Sequence, residues 1–199
     1  MPATAAEWDE KYRAEGDAAA SEAAGFVQEL LPLLPLGPAL DVACGLGRHA
    51  LLVAARGQAV TAVDQSGAAL EILGRRGRAL GYSVASMDHW SASRRPGIRL
   101  WQADLEQIAL PAEAFALILY VNYLQRSLFA QMERALIAGG MLLFETFTRA
   151  QLEFAGGPRN PEYLLEQGEL RYAFPGLRTL FYRELRAGKG IAGLIARKE

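Results

Sequence analysis

Leu40-Asp41-Val42-Ala43-Cys44-Gly45-Leu46-Gly47 is a short apolar run that closes on an acidic, glycine-containing turn. A helix-forming stretch over residues 49–56 follows at once. A second apolar run, Ala59-Val60-Thr61-Ala62-Val63, then ends in Asp64, 17 residues beyond Gly47. Strand, glycine turn, helix, strand, acid is the order of a nucleotide-binding βαβ unit. Glycine at 45 and 47 removes side chains where backbone must approach a ligand, and it tolerates positive φ in the tight turn. The second strand brings Asp64 to the C-terminal edge of the sheet, where its carboxylate can accept ribose hydroxyls.

Asp41 separates the ligand classes. A nicotinamide dinucleotide presents a doubly anionic pyrophosphate to this turn, and an acid four residues before Gly45 repels it. S-adenosylmethionine carries a sulfonium, an ammonium and a carboxylate instead. The acid suits the ammonium, and the helix N-terminus suits the carboxylate. A third acid, Asp104 in Gln102-Ala103-Asp104-Leu105, follows another apolar stretch, within reach of an adenine amino group. Three carboxylates at three strand ends favour the cationic cofactor.

On these residues the chain resembles the class I S-adenosylmethionine-dependent methyltransferases. The resemblance runs from Leu40–Gly47 through Val63-Asp64-Gln65-Ser66 and Ala103-Asp104-Leu105 to Phe115–Leu124 and Leu136–Glu145. Glu7-Trp8-Asp9-Glu10-Lys11-Tyr12 and Pro158-Arg159-Asn160-Pro161 look like the tellurite-resistance-type small-molecule branch. Ala43 departs from the pattern, since many relatives carry a glycine there; one extra methyl tightens the turn and leaves the site in place. The resemblance implies S-adenosylmethionine as cofactor, bound by the turn residues Asp41, Ala43, Cys44, Gly45 and Gly47. Asp64 and Gln65, Asp104 and Leu105, and Asn122 complete that set, with Trp8 and Tyr12 from an N-terminal lid.

Composition fits one compact domain. A chain of 199 residues with 51% hydrophobic content can bury a core, and a net charge of −1 gives no electrostatic footprint for nucleic acid. One cysteine excludes an internal disulfide and points to a cytoplasmic setting. No signal peptide is recognisable at the N-terminus, and no apolar run is long enough to span a membrane. One cysteine and two distant histidines give no metal site.

The expected fold is α/β: a seven-stranded, mostly parallel, doubly wound Rossmann-like sheet with a C-terminal antiparallel hairpin. Helices are expected at 4–14, 21–34, 47–56, 67–80 and 125–137. Strands are expected at 39–43, 59–64, 98–102, 115–121, 140–147, 177–186 and 190–197. Helix 67–80 turns Ala69, Leu70, Leu73 and Leu80 inward. Residues 82–97 read as an irregular excursion. The single domain divides into a lid (1–35), a cofactor-binding core (38–147), an acceptor-side cap (148–174) and a hairpin (175–199).

Methyl transfer from a sulfonium mainly requires alignment of donor and acceptor. A base is needed only where the acceptor atom carries a proton. His49 and His89 are poorly placed for that role. Cys44 has nothing near it in sequence to lower its pKa. Asn122 and Tyr123, ending the fourth strand, face the expected methyl position, and Glu145 ends the fifth among apolar neighbours, free to orient an acceptor or pair with Arg159. Arg159 suits an anionic acceptor. With Asn122, Tyr123 and Glu145 it forms the catalytic set, and the partner is a small molecule: an oxyanion, a thiol or a metabolite. The alternatives are an NAD(P)-dependent oxidoreductase and a non-catalytic cofactor-binding module.

Overall fold

A computed structural model describes residues 4–16 and 22–199. Residues 1–3 and 17–21, including the expected helix start at Ser21, lie outside the described residues. The chain divides into two compact units, the first running to Ile108 and the second from Ala109.

The first unit opens with α1 (Ala5–Glu15), started by a capping box in which Thr4 accepts from the Glu7 N–H and the Glu7 carboxylate accepts from the Thr4 backbone. The expected helix over 21–34 is shorter: α2 (Gly25–Leu30) passes into a 3-10 turn, Leu31–Leu33, where Pro32 removes a backbone donor. Then come β1 (Ala39–Val42), α3 (Arg48–Ala54), β2 (Ala59–Asp64), α4 (Gly67–Ala79), β3 (Val84–Met87) and β4 (Gly97–Gln102). The strands lie in the order β3-β4-β2-β1, all parallel. Every residue of β1 and β2 is buried, which is why both read as continuous apolar runs. A side chain at Gly77 would meet Val84 and Ile98, at 2.9 and 3.1 Å, so α4 seats closely on β3 and β4. Leu80, expected inward, is exposed, because α4 ends at Ala79 and Gly81 turns the chain with φ 83°.

The second unit holds β5 (Phe115–Val121), α5 (Phe129–Ala135), β6 (Leu136–Phe147), a short α6 (Glu169–Tyr172), β7 (Arg178–Arg186) and β8 (Gly190–Arg197). Its order is β5-β6-β8-β7, with β5 and β6 parallel and both pairs involving β8 antiparallel. Strand β6 begins four residues earlier than the expected 140. Phe115 pairs with Leu136 and Leu117 already with Met141, so residues 137–140 bulge around Gly139 at φ 77°. Tyr120, Phe129, Phe144 and Phe174 pack edge-on or tilted in the core, with ring centroids as close as 4.5 Å. Segment 148–174 is ordered by 3-10 turns at Arg149–Glu153 and Pro161–Tyr163 and by a bridge between Thr148 and Leu165.

The fold is α/β, with mostly parallel strands and a C-terminal antiparallel hairpin. The described residues contain eight strands rather than the expected seven. The addition is β3, inside the stretch read as irregular; as an edge strand paired only to β4 it is half exposed and lacks an apolar run. No described helix is long and apolar enough to cross a membrane.

Candidate active site

The turn between β1 and α3 alternates left-handed residues: Ala43 at φ 53°, Gly45 at 51° and Gly47 at 78°. Ala43 therefore occupies a conformation that costs a non-glycine residue about 1 kcal/mol. The two glycines are needed for different reasons. A side chain at Gly47 would strike Leu73, so the glycine is required for packing of α4. A side chain at Gly45 would meet the Tyr12 hydroxyl at 2.9 Å, so the space that glycine opens is filled from α1.

Asp64 closes the turn. Its Oδ2 accepts from the Gly45 N–H at 2.8 Å and its Oδ1 from the Ser66 N–H at 2.9 Å. Burial pushes its carboxyl up, and these backbone donors pull against the shift. The Gln65 N–H supports the carboxylate as a third backbone donor, which leaves one of its four lone-pair sites for a ligand hydroxyl. Asp41 is buried deeper: the Ala50 N–H supports its carboxylate while Oδ2 has no partner, and burial with Asp64 nearby pushes it up to about 7. An orphaned buried carboxylate oxygen beside a glycine turn fits a cationic ligand and opposes a pyrophosphate. Cys44 is buried, and burial first and the charges of Asp64 and Asp41 second push its thiol well up, which makes it a poor nucleophile.

Helix α1 reaches the same turn. Trp8 and Tyr12 stack with centroids 5.6 Å apart, Lys11 lies 4.4 Å over the Trp8 ring, and burial next to Asp64 raises the Tyr12 phenol. Gln65 is half-buried and its carbonyl accepts from the Gln102 side chain. Leu105 is buried, whereas Asp104 is exposed and spends its carboxylate on the Glu106 N–H and the Gln107 amide, both at 2.9 Å. His49 is buried, accepts from the Ala24 N–H at 3.2 Å, and is pushed down to about 3 by burial and Arg48; it is a neutral anchor for the start of α2. Asp9 and Ser66, which join α1 to this turn, are missed by the sequence reading, although serine before α4 is a recognisable helix cap.

In the second unit Asn122 ends β5 at φ 59°, a conformation asparagine tolerates, and its N–H donates to the Glu145 carbonyl at 2.8 Å. The Tyr123 hydroxyl donates to Gln125 Oε1 at 2.6 Å. Glu145 is buried, but the expected pair with Arg159 does not form: Arg183 of β7 donates to Glu145 Oε2 at 3.1 Å instead. Glu145 and Arg183 both stand opposite Gly193 of β8, and the absent side chain between them opens the path for the guanidinium. Arg159 is exposed and donates to the carbonyls of Leu152 and Phe154, at 2.9 and 2.7 Å, holding its own loop. Among the described residues, no group of three or more side chains is arranged to hold a metal ion.

Residues 40–144 match the family model described as methyltransferase domain. The chain belongs to that family. A comparison with curated protein sequences finds no match. Among solved structures, TehB from Haemophilus influenzae is similar at TM-score 0.71 and 16% identity, over 97% of this chain and 66% of that one. The methyltransferase thus spans just under two thirds of the TehB chain. An S-adenosylmethionine-dependent methyltransferase from Mesorhizobium loti is similar at TM-score 0.67 and 19% identity, over 88% of this chain and 98% of that one. Geranyl diphosphate C-methyltransferase from Streptomyces coelicolor, a complex with Mg2+, geranyl diphosphate and S-adenosyl-L-homocysteine, is similar at TM-score 0.65 and 16% identity, over 87% of this chain and 76% of that one. These likenesses carry the fold.

Proposed function

We propose that the protein methylates a small acceptor, with the cofactor held at the turn between β1 and α3. The observation that carries this reading is the buried pair of acids, Asp41 and Asp64, on either side of that turn and within the family match. S-adenosylmethionine supplies a methyl group already activated on a sulfonium. Asp64 takes a ribose hydroxyl on the acceptor site its three backbone donors leave, Asp41 balances the cationic end, the exposed Asp104 keeps one further lone pair on each oxygen for the adenine amino group, and Trp8 and Tyr12 exclude water. Within the second unit, Asn122, Tyr123 and Glu145 are the residues for the acceptor, and Arg159 is the one suited to an anionic group. The family match crosses the boundary at Ile108, which supports reading both units as one methyltransferase domain. Near-neutral charge argues against a nucleic acid acceptor, and the single buried cysteine supports a cytoplasmic setting.

A panel of oxyanions, thiols, small carboxylates, RNA and protein, scored by S-adenosylhomocysteine release, tests the reading. Turnover confined to small acceptors is expected. Turnover on RNA or protein alone overturns it.

A further inference from the structure

We infer that Asp9 is a positioning residue that latches α1 over the cofactor turn and thereby sets how long the cofactor stays bound. Oδ1 of Asp9 accepts from the Ser66 hydroxyl at 2.5 Å and from the Ala68 N–H at 3.0 Å, while Oδ2 faces Arg13 one turn along α1 at 3.3 Å. Ser66 is not a passive partner. Its hydroxyl oxygen accepts from the Ala69 N–H to cap α4, and its own N–H donates to Asp64, whose other oxygen holds Gly45. One chain of hydrogen bonds therefore runs from the glycine turn through Asp64 and Ser66 to Asp9.

The rest of α1 holds on by partial apolar cover. No residue of the helix is fully buried, and its aromatic pair is only half-covered. Apolar burial alone gives such a helix a weak seat, and two hydrogen bonds to a carboxylate supply the fixed register. That register puts the Tyr12 hydroxyl against Gly45 and Trp8 beside it. The Ser66 hydroxyl and the Ala68 N–H also keep the Asp9 carboxyl below its ordinary range, so the latch is ionised at neutral pH. The latch and the ribose acid share Ser66, so docking of α1 and placement of Asp64 are one event.

This inference rests on the cofactor site proposed above, and the experiment separates the two. S-adenosylhomocysteine binding to the full chain is measured by calorimetry and its release by stopped flow, for the native protein, Asp9→Ala and Asp9→Asn. Tryptic cleavage after Lys11 and Arg13 is followed with and without the ligand. Loss of two charge-assisted bonds in Asp9→Ala should speed release about tenfold or more, and the ligand should no longer slow cleavage in α1. Asp9→Asn keeps an oxygen for both donors but loses the charge, and its release should fall between native and Asp9→Ala. Native release and native protection in Asp9→Ala overturn the latch alone. Equal acceleration in both variants also overturns it, since the acceptor oxygen would not be the determinant. Absence of binding by the native protein overturns the cofactor site, and the latch with it.

Discussion

Asp41 has one carboxylate oxygen supported by the Ala50 N–H and the other sealed in the interior without a partner. Burial raises its pKa from 3.8 to about 7; Asp64 adds to the rise, while the Ala50 N–H and Arg48 oppose it. Below the lower value both native and unfolded chains carry the proton, and Asp41 leaves stability independent of pH. Between the two values the unfolded chain ionises while the native one stays protonated. The native state then binds more protons, and stability falls as pH rises until the native acid also ionises. The loss is on the order of 4 kcal/mol. Asp41→Asn keeps an acceptor for Ala50 and removes the titration. Its Tm should therefore gain on the native protein as pH rises from 5 to about 7 and the gap should then level off towards pH 8. Parallel Tm curves for the two proteins would show that Asp41 is solvated in the native state. The same acid is the residue that told the ligand classes apart in the sequence, and the cause is common: a carboxylate placed where water cannot reach it.

Strands β6, β8 and β7 carry a comparable charge in a different way, since Glu145 and Arg183 meet across Gly193. The Glu145 side chain is 4% exposed and that of Arg183 27%, so removal of the guanidinium strands a buried carboxylate that water reaches only through the arginine's place. Arg183→Met should cost about 2 kcal/mol in urea unfolding, less than a fully buried pair because solvent enters on the arginine side. Adding Glu145→Gln to Arg183→Met should return most of the loss. A double variant no more stable than the single would show that the pair does not couple. The pair also marks what sequence can and cannot supply. Strands β1, β2 and β5 are buried on both faces and announce themselves as apolar runs, and the hairpin β7–β8 shows through its Ala187-Gly188-Lys189 turn. Edge strand β3 needs one partner and little burial, so its Val84-Ala85-Ser86-Met87 leaves no pattern. Glycine spacing and Asp64 locate the turn, but the partners Asp9 and Arg183 come from distant elements, and only strand register and helix docking bring them there. Arg159 lies close to Glu145 in the sequence, yet its guanidinium serves local carbonyls while Arg183 crosses a glycine to take the pair.

At the scale of the whole chain, ligand selectivity becomes a difference in stability. A ligand that binds only the native state stabilises it by about 2.7 kcal/mol at a concentration of 100 times its Kd. In a chain of this length each kcal/mol moves Tm by about 2–4 °C, so S-adenosylhomocysteine at that concentration should raise Tm by roughly 5–10 °C. NADH at the same concentration should leave Tm unchanged, because its pyrophosphate would have to sit beside Asp41 and Asp64. Cys44 gives a second reading of the same equilibrium. The chain's one thiol is buried inside the turn, so a thiol reagent labels it only when the structure opens. S-adenosylhomocysteine should slow that labelling by the factor by which it depopulates the open state, and NADH should not. A Tm rise with NADH and none with S-adenosylhomocysteine would return the turn to the dinucleotide class. A Tm rise with S-adenosylhomocysteine and no change in labelling would place the ligand away from Cys44, and the acids beside it would lose their role.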